Sequence, residues 1–152
     1  DGSDIEARSR MLAAASMGAT AFQKGLGGVH AIAHPVGAHF NTHHGLTNAV
    51  LLPYLLVHNR AAIEPRLAVI ARTLSLAGEP FAAFFDWILG FRQRLRIPNS
   101  LAELGVTLRN PETIGEEAAH DPCAAGNPLP TDAKGYARIF RSAVAGDLTL
   151  RG

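Results

Sequence analysis

The chain has 152 residues, 47% of them apolar, with 14 Lys+Arg against 13 Asp+Glu, seven histidines and one cysteine. That length suits one domain able to bury roughly 70% of its unfolded surface, and near-neutral charge without a basic stripe argues against a nucleic-acid partner. No apolar run approaches the ~20 residues of a membrane span, the opening residues do not read as a secretory signal, and a lone Cys123 rules out an internal disulfide framework, so the cytoplasm is the expectation.

In chain order the pattern is helical throughout. Met11, Leu12, Ala15, Ala19 and Phe22 recur at three- and four-residue steps and predict a helix over Ile5–Lys24, with Asp4 as cap and Gly25 and Gly27–Gly28 as stop. Small residues at 13–16, 18 and 19 imply close packing on several faces of that helix, more than this chain alone is expected to provide. A second helix is expected from Val29 to about Ala38, with Pro35 as a kink. A third follows from Leu46 to Val57, and a fourth over Ala61–Ala77 with Ile63, Leu67, Ile70 and Leu74 on one face. Pro80–Leu95 carries a broad aromatic face of Phe81, Phe84, Phe85, Trp87 and Phe91. Then come a short helix in SLAELG and helices over Pro111–His120 and Asp132–Ala145, the last two joined by the loop DPCAAGNPLP. No segment alternates as a strand would, so the fold class is all-α, a helical bundle.

Five of the seven histidines fall between positions 30 and 44, and His58 lies one helix further on. Imidazole is the usual side chain for divalent metals and for proton transfer near neutrality. For any one histidine a packed or surface role is the ordinary alternative; five in fifteen residues favour a metal or proton-transfer site. In one straight helix His30 and His44 would stand about 21 Å apart at a rise of ~1.5 Å per residue. To share a metal the chain must turn back, and Gly37, Asn41 and Thr42 suit a turn. Residues 40–44, if extended, reach ~17 Å at ~3.3 Å each and could return His44 along the helix to His30. His30 and His34 share one helical face. No acidic residue lies between Glu6 and Glu64, so a carboxylate ligand must come from elsewhere. The zinc-protease motif HExxH is absent.

The run GLGGVHAIAHPVGAHFNTHHGLTNAVLLPYLLVHN resembles the signature of the iron-containing (group III) alcohol dehydrogenases. EARSRMLAAASMGATAF is similar to the helix before that signature, and SLAELGV and AAHDPCAAGNPLPTDAKGYARIF to the C-terminal stretch. The resemblance implies a partial C-terminal helical, metal-binding domain spanning 1–152, with the N-terminal NAD(P)-binding domain absent from this chain. It implies that His30 and His44 are two of four ligands to Fe(II) or Zn(II), the aspartate and histidine completing the set lying upstream of Asp1. His34 then stands beside the substrate as a catalytic proton relay. Cys123 falls where some relatives carry a cysteine close to the active cleft, which makes it the cofactor-binding candidate, with a small buried hydrophobe as its alternative. His43 stands where many relatives have proline, and His39 and His120 match no functional position. GLGG at 25–28 lacks the GxGxxG pattern and reads as a helix cap.

The resemblance thus implies an NAD(P)-linked enzyme acting on small alcohols or aldehydes, inactive as an isolated fragment and self-associating as a homo-oligomer. Two alternatives stay open: a non-catalytic helical metal-binding or assembly module, its site completed across a dimer by His39 and His43, and a maleylacetate reductase-like or glycerol dehydrogenase-type member of the same superfamily.

Overall fold

A computed structural model describes residues 2–149. Six α-helices and no strand occur among them: α1 Ile5–Phe22, α2 Gly28–Phe40, α3 His44–Thr73, α4 Pro80–Arg94, α5 Pro111–His120 and α6 Ala133–Ala145. Two 3₁₀ turns, Ala102–Leu104 and Pro122–Gly126, punctuate the second half.

The core is built where α2, α3, α5 and α6 meet. Ile32, Val36, Val50, Leu51, Tyr54, Ile114, Tyr136, Ile139 and Phe140 are all buried there, and Leu101 and Val106 close one end. The helical period of these apolar positions drives the packing, because a face of that width leaves water only against another helix. α4 packs on the distal part of α3. Its aromatic face is stacked along its own length, Phe84 on Trp87 and Trp87 on Phe91, with ring centroids 6.2 and 5.4 Å apart. α1 is different. No residue of it is buried, it touches no other described helix, and Met11, Leu12 and Met17 stand about as open as surface lysines would.

Two expectations are corrected. The helices expected at 46–57 and 61–77 are one continuous α3, ending at Thr73. Positions 58–60 hold no glycine or proline, and Asn59 turns its amide to Asn127 instead of competing for its own backbone. Pro53 and Pro65 lie inside this helix, as Pro35 lies inside α2, each removing one donor without ending the helix. The segment 40–44 is also not extended: Phe40 closes α2 and His44 opens α3.

Candidate metal centre

The site begins with what fixes the start of α2. The Gly28 amide donates to Asn127 Oδ1 at 3.1 Å, and Asn127 exchanges amide hydrogen bonds with Asn59 on α3. A Cβ on Gly28 would lie 2.8 Å from both Asn127 Oδ1 and the Leu55 side chain, so only glycine lets α2 approach this closely. The 3₁₀ turn, α2 and α3 are thereby pinned together one turn from His30.

At its other end α2 stops on Asn41, which is left-handed at φ 53°, a conformation asparagine tolerates better than most residues. The chain reverses over Asn41–His43. His43 caps α3, its Nδ1 accepting from the Leu46 amide at 3.3 Å. The Thr47 hydroxyl sits 2.8 Å from that of Thr42 and 3.1 Å from the His43 carbonyl, bracing the turn. His44 and Asn48, one turn apart on α3, then face His30 and His34, one turn apart on α2.

The result is a triangle of imidazoles. Ring centroids are 5.2 Å apart for His30 and His44, 5.5 Å for His34 and His44, and 5.9 Å for His30 and His34. Convergence comes from a helical hairpin, not from an extended return. Asn48 bridges the first pair: its Nδ2 lies 3.0 Å from His30 Nε2 and 3.1 Å from His44 Nε2. Both Nε2 atoms accept from this amide, so both carry the lone pair that a metal needs. The Asn48 Oδ1 is buried without a partner among the described residues, so the two histidines alone hold this amide in place. Burial, then the neighbouring His44 and His34, hold His30 below its ordinary pKa and favour its neutral form. The donors present therefore fit a borderline divalent ion such as Fe(II) or Zn(II), but they are two imidazoles, half of a four-ligand set.

Sequence reading missed two residues. One is Asn48. The other is Asp121, whose Oδ2 accepts from His34 Nδ1 at 2.8 Å across 87 positions of sequence. Asp121 caps the 3₁₀ turn by accepting from the Cys123 amide at 2.8 Å. Burial works to raise its pKa, but the bonds from His34 and Cys123 prevail and hold it below the usual range, so the carboxylate is ionised. The sequence signal was there in the DPC step of the loop, where an aspartate before proline opens a turn. Cys123 is half-buried beside this pair, and burial, then its contact with Asp121, pushes its thiol up.

The remaining histidines stand apart. His39 pairs with Glu117 at 2.9 Å on an exposed face, His120 Nδ1 lies 2.8 Å from the Glu116 carbonyl, and His58 Nε2 lies 2.7 Å from the Thr131 hydroxyl. A cavity of about 530 Å³ opens beside His30 and Asn48 and is walled by Leu26, Gly27, Leu52 and Asn127.

Residues 1–144 match the profile of the family described as the Fe-containing alcohol dehydrogenase family, C-terminal. The NAD-dependent methanol dehydrogenase of Bacillus methanolicus is 33% identical over 151 residues, covering 95% of this chain and 40% of that protein. The NADPH-dependent butanol dehydrogenase of Clostridium saccharobutylicum is 33% identical over 146 residues, covering 90% and 38%. Among solved structures, an alcohol dehydrogenase from Oenococcus oeni superposes with a TM-score of 0.83 at 29% identity, covering 94% of this chain and 39% of that one. The chain spans about two-fifths of the length of the curated relatives it matches.

Proposed function

The chain belongs to the iron-containing alcohol dehydrogenase family, and from that premise we propose that it is the metal-holding helical part of an NAD(P)-linked enzyme that oxidises small alcohols or reduces aldehydes. The observation that carries this reading is the convergence of His30 and His44 on one amide with both Nε2 lone pairs inward. These two residues would hold Fe(II) or Zn(II). The remaining ligands and the nucleotide-binding unit come from outside these 152 residues, so the chain alone turns over no substrate.

A bound divalent ion supplies Lewis acidity that favours the alkoxide form of an alcohol. His34 supplies the proton chemistry. An ionised carboxylate can only accept, so Asp121 fixes the His34 proton at Nδ1 and leaves the Nε2 lone pair to take the proton released by the substrate. The same carboxylate stabilises the imidazolium that forms. The cavity beside His30 supplies the apolar wall against which a short alkyl chain would lie.

The exposed apolar residues of α1 support self-association into a homo-oligomer, and the single unpaired thiol suits the cytoplasm. Titration of the metal-free chain with Zn(II), followed through its imidazole nitrogens by NMR, tests the metal reading. The expected result is a shift at His30 and His44 Nε2, lost in His44→Ala; no movement at either would overturn it. Turnover of alcohol and NAD(P) by the chain alone, loaded with Fe(II) or Zn(II), would overturn the division of labour.

A further inference from the structure

We propose that His34, Asp121 and Cys123 form a second divalent-cation site, suited to a thiophilic ion such as Zn(II) and distinct from the His30–His44 pair, and that filling it removes His34 from proton transfer. The first half stands on geometry alone; the second rests on the role given to His34 above.

A ring nitrogen of His34, a carboxylate oxygen of Asp121 and Cys123 Sγ all lie within 4.8 Å of one another, and His34 faces the carboxylate through Nδ1, 2.8 Å from Oδ2. They come from α2 and from the 3₁₀ turn Pro122–Gly126, which pack directly together, so gathering them needs side-chain adjustment and no movement of helices. Asp121 is already aimed. One oxygen is held by the Cys123 amide and the other meets His34 at 2.8 Å. Its side chain is 12% exposed against 43% for His34, so the site is backed by protein and open to solvent on the histidine side, which gives an ion a way in.

The donor chemistry separates this group from its neighbour. Thiolate, carboxylate and imidazole are the three ligand types that zinc uses, and three protein donors leave a fourth position for water. Thiolate and carboxylate together cancel the charge of a divalent ion. The His30–His44 pair offers two neutral imidazoles and no sulfur, so soft ions discriminate between the two sites. Binding is balanced by loss of the thiol proton to solvent as the metal–sulfur bond forms. With Nδ1 on a cation, that nitrogen gives up its proton to solvent and Nε2 takes one in its place, so the neutral ring has no lone pair left to accept another. The site would act as an inhibitory one.

Cys123 is the only cysteine in the chain, so a thiolate-to-cobalt charge-transfer band in the near ultraviolet reports this residue alone. Titrating the reduced, metal-free chain with Co(II) should raise that band, saturating at a single equivalent. It should survive in the His30→Ala/His44→Ala double variant, vanish in Cys123→Ser, and need about tenfold or more extra Co(II) in Asp121→Asn. Zn(II) should slow alkylation of the thiol in the unaltered chain, a readout that stands even where a variant folds poorly. Absence of the band, or its loss with His30 and His44, would overturn the proposal. A band without imidazole shifts at His30 and His44 would leave this site standing and sink the family-type metal reading instead.

Discussion

At the scale of single residues, charge state follows from burial. His58 sits on α3 with Nε2 on Thr131, and burial, then Arg138, lowers its pKa below the ordinary 6.5. The unfolded chain therefore binds more protons than the folded one between 6.5 and that lowered value, so stability falls as pH drops through that window. His30 acts with the same sign. Asp121 acts lower down: its contribution is present above 3.8 and is lost as pH falls below that value through its depressed pKa. Thermal melts should show a lower midpoint at pH 5 than at pH 7.5, with the difference shrinking in His58→Gln; an unchanged difference would assign the effect to other groups. The residue scale is also where sequence reading was least complete. The histidine cluster announces itself by density, whereas Asn48 and Asp121 are ordinary polar residues whose roles depend on what lies across a helix–helix contact.

At the scale of elements, the decisive features are the close approaches. α5 and α6 pack through Gly115: a Cβ there would lie 2.8 Å from the Ala137 Cβ and closer still to the Ala133 carbonyl. Gly115→Ala should therefore destabilise the fold by roughly 1–3 kcal/mol in urea unfolding, as overpacking does. Gly37, inside α2, has open space where its Cβ would be, so Gly37→Ala should stabilise by up to ~1 kcal/mol through helix propensity. Equal effects would mean that packing does not limit the α5–α6 approach. Element type was legible throughout from the helical period and from Gly and Pro punctuation. Continuity was not. The gap left at 58–60 is helical, and Asn59 within it is buried against Asn127, a polar contact that periodicity alone reads as exposure.

At the scale of the whole molecule, the imbalance lies in α1. α2, α3, α5 and α6 share a buried core and α4 packs on α3, while α1 leaves Ile5, Met11, Leu12, Met17 and Phe22 exposed. Exposed apolar area of this kind favours association. Light scattering should report more than one copy per particle, and Leu12→Glu should shift the distribution toward monomer; a monomeric unaltered chain would remove the argument. The small residues of α1 already signalled close packing in the sequence, and the described fold provides no partner for them within this chain.

By itself the sequence determined the helical class, the family and the identity of the clustered imidazoles, because all three are written in local spacing and in residue types that tolerate little else. Only the tertiary structure decided that a hairpin at Asn41 sets His44 against His30, that one amide joins them, and that a carboxylate 87 positions away orients His34. The reason is physical: helix periodicity is fixed by backbone geometry over a few residues, whereas the meeting of side chains depends on how whole helices pack and cross, which no local pattern encodes.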